Sequence, residues 1–297
     1  MGRSRAGTPG VDGIAVVDKD AGWTSHDVVA KARGILGTRK VGHSGTLDPD
    51  ATGVLVLGVG KGTRLLQFLQ GLPKTYTCEI VLGVETSTLD DSGEVTARHD
   101  MSPTADAVRA AAAGLTGDIS QVPPMVSAIK VEGRRLHELA REGIEVERAA
   151  RPVRIERFHV EPTDDPSVWR AEVACSSGTY VRSLAADLGT ALGGGAHLRR
   201  LRRTSVGPFG LDEARPLEQV ALLPLTEAFR GTAAVVADDE LVAAVRVGKV
   251  VPVDRLGATG PGPWPVVDAA GALLAVYEAH RDATAKPSVV LVDSAGR

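Results

Sequence analysis

Apolar and polar positions alternate along this chain in two different rhythms, and the changes of rhythm mark its elements. In "GIAVVDKDAGWTSHDVVAKARGILG", residues 13–37, a strand over Ile14–Val17 precedes a turn and a helix. Thr24 or Ser25 can cap that helix; Val28, Val29, Ala32, Ile35 and Leu36 form its apolar stripe, and Gly37 ends it. "VLVLGVG" is apolar without interruption and reads as a buried strand. "GTRLLQFLQG" predicts a short helix capped by Thr63. "KTYTCEIVLG" alternates strictly, which sets Tyr76, Cys78, Ile80 and Leu82 on one face of a strand.

Beyond these, "TADAVRAAAAGLTG" predicts a short Ala-rich helix, and the turn-rich "QVPPMVSAIKVEG" leads to a second helix at "RRLHELAREG". Strands follow at "VRIERFHV" and "VWRAEVAC". "SSGTYVRSLAADLGTALGGG" reads as a loop running into a helix, with Leu184, Leu188 and Leu192 on one face. Helices mix with strands without a regular βαβ rhythm, which argues for a mixed α/β or α+β sheet. Near residue 230 the texture changes to short apolar runs separated by Gly and Pro. This predicts a small β-rich C-terminal domain, with the boundary around "LTEAFRGTAAVV".

At 297 residues the chain suits one large domain and a smaller one, and 43% apolar with 24% charged residues is ordinary for a globular fold. Its longest apolar runs are far shorter than a membrane span. "MGRSRAGTPG" has no apolar core of a secretory signal and is expected to be a disordered lead over residues 1–10. Cys78 and Cys175 lie in separate strand-like segments without CxxC spacing, as free thiols would in a reducing cytoplasm. The seven histidines form no HxxxH or HExxH pattern, so no metal site is expected. Net charge is only −3, but local charge decides nucleic-acid binding. Arg199, Arg200, Arg202 and Arg203 in "HLRRLRR", with Arg39 and Lys40, tilt the chain modestly towards a polyanion. Each cluster alone reads more commonly as a solvated basic face.

The densest chemistry lies in "VGHSGTLDPDATGVLVLG", residues 41–58. A phosphate-binding loop is excluded, because "GVGKGT" puts Gly62 where Ser or Thr must follow Lys61 and Leu55 where the first Gly belongs. A dinucleotide fingerprint fails at Thr63, and a nucleophile elbow fails because "GHSGT" ends on Thr46. Asp48 remains. Before Pro49 it is an ordinary opener of a type I turn, or else the centre of an active-site rim. Tyr76 reads as a core tyrosine by alternation, and His43 as a hydrogen-bonded loop histidine. Arg182 falls in the first turn of its helix, where the macrodipole favours acids, so it is either exposed or set opposite an anion or carboxylate.

Taken together and in order, these stretches resemble the TruB family of tRNA pseudouridine synthases. The resemblance rests on "DKDAGWTSHDVV", "VGHSGTLDPDATGVLVLGVGKGTRLL", "KTYTCEIVLGVETSTLDDSGE", "QVPPMVSAIKVEGRRLHELAREGIEV", "CSSGTYVRSLAADLG" and "GAHLRRLRRTSVGPF", across roughly residues 13–210. It implies an α+β fold with a mixed, largely antiparallel sheet and flanking helices over 11–228. A small β-rich, PUA-like RNA-binding domain would follow over 229–297. It implies conversion of uridine 55 in the T loop of tRNA to pseudouridine, without cofactor or metal, by a cytoplasmic monomer needing no protein partner or membrane. By position, Asp48 matches the catalytic aspartate and Arg182 the arginine paired with it. Tyr76 matches the tyrosine stacked on the target uracil, and His43 the histidine that contacts the T loop. Tyr180 and Leu201 match pocket-lining residues near the base, and Lys19 the lysine of the first motif. Asp20 stands where Pro follows that lysine in the family, and Val126 and His137 where aromatics are frequent.

Overall fold

The computed structural model describes residues 11–127, 130–131, 133–136, 139, 142–144 and 146–292. The expected disordered lead and His137 lie outside the described residues. In chain order the first half comprises β1 (Gly13–Lys19), α1 (Ser25–Ile35), β2 (Val41–His43), β3 (Thr52–Val59), α2 (Leu66–Gln70), β4 (Lys74–Leu82), β5 (Val84–Thr86), β6 (Val95–Arg98) and α3 (Ala105–Gly114). There follow β7 (Gly117–Gln121), β8 (Lys130–Val131), β9 (Arg134–Arg135), β10 (Arg151–Pro162), β11 (Val168–Cys175), α4 (Val181–Ala191), β12 (Ala196–Val206) and β13 (Phe209–Gly210).

Nine of these strands form one sheet along the path β1-β3-β12-β4-β11-β10-β7, with β2 on β3 and β13 on β12. Every pairing is antiparallel except β3 with β12, where Arg202 lies opposite Thr52 and Arg203 opposite Gly53. Gly53 has φ of 101°, and a Cβ there would sit 2.1 Å from the Arg203 carbonyl oxygen, so this seam requires glycine. The fold class that the family resemblance implies, α+β with a mixed, largely antiparallel sheet, is the one found; the chain's texture alone left α/β and α+β both open.

β3 is continuously apolar because both of its faces are covered. Leu55 and Leu57 pack with Ala15, Val17 and the α1 residues Val28, Val29 and Ala32. Val54 and Val56 face Leu65, Leu69 and Phe209 on the other side. β4 buries Tyr76, Cys78, Ile80 and Leu82 in register, against Val173 of β11 and Leu184 and Leu188 of α4. Each such Val, Leu or Ile contributes about 1.5–3 kcal/mol by leaving water.

Two local expectations change. Thr63 does not cap α2; it lies within a 3₁₀ turn over Gly60–Leu65, and its hydroxyl donates to Gly60 O at 2.7 Å. The helix expected from Arg134 starts later, because Arg134–Arg135 pair with Lys130–Val131 in a hairpin whose turn uses Gly133 at φ of 85°. Leu136 and Leu139 beyond it are buried. Thr24 caps α1 in a full capping box with Asp27.

The C-terminal part is a five-stranded sheet, β14 (Val235–Val236), β15 (Val251–Pro252), β16 (Trp264–Val267), β17 (Leu273–Ala279) and β18 (Thr284–Val290), ordered β14-β16-β17-β18-β15. It also carries α5 (Asp239–Arg246) and α6 (Val253–Leu256), two short helices that Gly- and Pro-rich composition concealed. Val267, Leu273, Val276 and Val289 pack into the same core as Val54 and Val56.

Candidate active site

The loop between β2 and β3 carries Asp48, and braces on both sides hold it. Ala51 N donates to Asp48 O at 3.1 Å, closing the expected turn, with Pro49 supplying the fixed φ of its second position. Before Asp48, the buried Ser25 exchanges two hydrogen bonds with Leu47, accepting from its N–H at 2.9 Å and donating to its carbonyl at 3.2 Å. After it, Lys19 Nζ donates to Pro49 O at 2.8 Å and to the carbonyls of Asp20 and Trp23. Burial brings Lys19 down to about 8, against the pull of Asp50 and Asp48. With three carbonyls on its ammonium, Lys19 braces the loop from beneath and is absent from the cleft wall. Asp20, in place of Pro, accepts from Lys19 through its backbone carbonyl, and its charge also favours the ammonium.

Arg182 reaches this loop from the first turn of α4. Its Nε lies 3.0 Å from Asp48 Oδ2 and its Nη2 donates to Asp48 Oδ1 at 3.2 Å, a forked pair. Its other donors meet Thr88 O at 3.0 Å and Val126 O at 2.9 Å. Val126 therefore serves through its backbone, which explains why a non-aromatic side chain is accommodated. Arg182 is 5% exposed and the Asp48 side chain 40%. Burial, the largest influence, pushes the Asp48 carboxyl up; Arg182 opposes it, and Asp90 adds to it. The forked guanidinium and the open side of the carboxylate work against that rise and favour the ionised form.

Two cavities meet at this pair. The larger, about 360 Å³, is lined by His43, Asp48, Tyr76, Tyr180, Arg182 and Leu201 among others. The structure thus brings six of the seven expected site residues together, and Lys19 stands behind them. The smaller, about 260 Å³, shares Asp48, Arg182 and Leu201 and opens towards Asp90, Arg199 and Arg200. Gly45 N donates to His43 Nδ1 at 3.3 Å, which leaves the proton on Nε2. Burial, with His26 packed edge-on at 5.5 Å, lowers the His43 pKa, so the ring is neutral. Burial raises the Tyr76 hydroxyl, with Arg203 pulling the other way.

Three residues of the site were not anticipated. Asp90, 3.6 Å from Arg182 Nε, sits in a tight loop where its Oδ1 accepts from Thr88, Ser92 N and Ser92 Oγ. "TLDDSG" carries the Asp-Ser turn signal that could have marked it. Gln121, buried at the end of β7, clamps the Tyr180 backbone: Nε2 donates to its carbonyl at 3.1 Å and Oε1 accepts from its N–H at 2.7 Å. Arg203 is the third and corrects the reading of "HLRRLRR". It is 1% exposed, and its guanidinium donates to Val54 O, Thr46 O and Gly45 O. Only Arg199, Arg200 and Arg202 reach the surface, paired with Glu79 and Asp18.

Among the described residues no group of three His, Cys, Asp or Glu side chains is placed to hold a metal ion. Cys78 and Cys175 are free and buried. No described helix is long and apolar enough to cross a membrane.

The architecture aligns with a chain in the crystal structure of a Cbf5-Nop10-Gar1 complex at a TM-score of 0.72 and 25% identity, over 95% of this chain and 85% of that one. A chain of an H/ACA RNP bound to a substrate RNA containing 2'-deoxyuridine gives 0.70 at 23% identity, over 95% and 86%. Residues 33–181 match the N-terminal domain of TruB family pseudouridylate synthases, which sets the molecule among the pseudouridine synthases. Residues 182–235 match the tRNA pseudouridylate synthase B C-terminal domain. The tRNA pseudouridine synthases B of Arthrobacter sp. (strain FB24) and Rhodococcus jostii (strain RHA1) are 56% and 57% identical to it over 217 residues, 71% of this chain and 71% of each relative. The chain belongs to the TruB family.

Proposed function

We propose that this chain converts uridine 55 of the tRNA T loop to pseudouridine, with Asp48 as the reacting carboxylate. Isomerisation of uridine to pseudouridine in tRNA is the reaction its family membership gives; the position and the residue roles are the further step. The observation that carries it is Asp48, forked by a buried Arg182, in the wall of a cavity of about 360 Å³.

The chemistry breaks the N-glycosidic bond, turns the uracil and joins its C5 to the sugar. All atoms and electrons stay within one nucleotide, so no cofactor or metal is called for. The target must leave the folded T loop, which costs a few kcal/mol. Stacking on Tyr76 returns about 1–3 kcal/mol of that. His43, a neutral donor through Nε2, suits a loop contact, and Tyr180 and Leu201 wall the base. Asp48 must be a carboxylate whether it attacks the sugar, attacks the base or removes a proton. The C-terminal sheet is read as PUA-like and RNA-binding, and the whole as a cytoplasmic monomer acting without a protein partner.

The test uses purified protein and a bare T-arm stem-loop labelled with tritium at uridine C5. Tritium release, with pseudouridine located at position 55, is expected from the wild type. Asp48→Asn is expected to release none while binding tRNA within about tenfold, about 1.4 kcal/mol. Release by Asp48→Asn near the wild-type rate would remove Asp48 from the chemistry. Dependence on an added RNA or protein would overturn the stand-alone assignment.

A further inference from the structure

The cleft is electrically lopsided. Asp48 and Asp90 sit at one end; Arg203 and Lys74 line the other. Arg203 lies on β12 directly opposite Tyr76 of β4, and Lys74 lies two residues before Tyr76 on the same strand. A Cβ on Gly45 would stand 3.8 Å from Arg203 Nη1 and 4.0 Å from Lys74 Cε, so both side chains reach the same part of the cavity wall, close enough for Arg203 to act on the Lys74 charge. Both are buried. Arg203 donates to the three backbone carbonyls already described and also engages the Tyr76 hydroxyl, while Lys74 Nζ donates to Gln70 O and Leu72 O, each at 2.7 Å. Neither forms an ion pair among the described residues. Beside them Ser44, 2% exposed and on the same wall, has its hydroxyl buried without a hydrogen-bond partner.

Two buried cations without a carboxylate are costly in the resting protein. They become useful when negative charge arrives. In the proposed reaction it does so by either route. Heterolysis of the N-glycosidic bond leaves the electron pair on the uracil, and addition at its C6 leaves an enolate on it. Both spread charge onto the uracil oxygens.

We propose that Arg203, Lys74 and Ser44 form an electropositive inner end of the cleft that receives the carbonyl edge of the uracil and takes this charge. The assignment rests on the pseudouridine-forming reaction proposed above. It gives Arg203 a different task from its neighbours on β12, since a side chain sealed from solvent cannot follow the phosphate backbone. It also predicts a pH limb. Burial, helped by Arg203, brings Lys74 down to about 8, and its charge is lost as pH rises through that value. The groups facing Lys74 are Arg203 from β12, Cys175 opposite it on β11, Tyr76 on its own strand, and His43 and Asp48 across the cavity.

The experiment measures single-turnover pseudouridine formation on the T-arm stem-loop, tRNA affinity and a pH series. An inactive wild type would retire the proposed reaction itself, and the charge assignment is judged only against an active one. Lys74→Met is expected to be slowed roughly a hundredfold, with tRNA affinity kept within about twofold. The wild-type rate is expected to fall above about pH 8, the fall being absent in Lys74→Met and in Lys74→Arg, which regains much of the rate. Arg203→Met is expected to show the same loss without a change in salt dependence; should it fail to fold, the Lys74 series decides. A wild-type rate in Lys74→Met, a loss confined to affinity, or an alkaline fall that persists in both Lys74 variants and so belongs to another group such as Lys19, would overturn the assignment.

Discussion

Four arginines occupy five consecutive positions of β12, and the two ends of that short run live in different media. Arg200 exposes 72% of its side chain and shares Glu79 with Arg199, while Arg203 is sealed beneath the cleft. The same side chain is a solvated charge at one end and a structural cation at the other. The backbone makes the division. β12 changes register between Arg199 and Arg202, where Arg200 takes φ of 53°. One extra residue flips the alternation, so Leu201 and Arg203 join Leu198 on the inner face. A tally of basic residues therefore overstates the RNA-facing charge, and Glu79 and Asp18 offset part of what remains.

The contrast between sealed and exposed guanidinium is sharpest at Arg182. Lysine keeps its charge but loses the planar fork that holds Asp48, Thr88 O and Val126 O together. Arg182→Lys is expected to slow the single-turnover step by roughly a hundredfold at saturating tRNA. Tyr76, opposite Arg203, separates contact from chemistry. Tyr76→Ala is expected to lose about 1–3 kcal/mol of tRNA affinity in a binding titration, whereas Tyr76→Phe binds nearly as the wild type does. Equal and unimpaired activity in both variants would take Tyr76 out of the cleft's work. The smallest effect is expected outside. Arg200→Gln weakens tRNA binding modestly and lowers the slope of log K against log[salt] by about one, leaving the rate at saturation intact.

Much of the site was legible because short-range patterns fix it. Strict alternation along β4 placed Tyr76 inward, and the Asp-Pro pair announced the turn that presents Asp48. The motif order brought Arg182 to the same place across 134 residues. What stayed hidden depends on partners distant in sequence or on backbone irregularity. The parallel seam of β3 with β12 leaves no local trace except Gly53. Asp90 reads as one more polar loop residue until Arg182 arrives beside it. Arg203 was misplaced because a single left-handed residue reversed the face of the strand. Lys19 was placed as the lysine of the first motif, and the three carbonyls that hold it under the loop are invisible in the sequence. The C-terminal helices escaped notice because eight and four residues are too few for a helical period to stand out among Gly and Pro turns.

The most direct test of the division between sealed and exposed arginines is a salt series of single-turnover rates and tRNA affinities for Arg182→Lys and Arg200→Gln side by side. The expected result is a rate lost at every salt concentration with an unchanged affinity slope for Arg182→Lys, and the converse for Arg200→Gln. If Arg182→Lys instead loses affinity with a shallower slope and keeps the wild-type rate at saturation, the Asp48–Arg182 pair is not the centre of the chemistry.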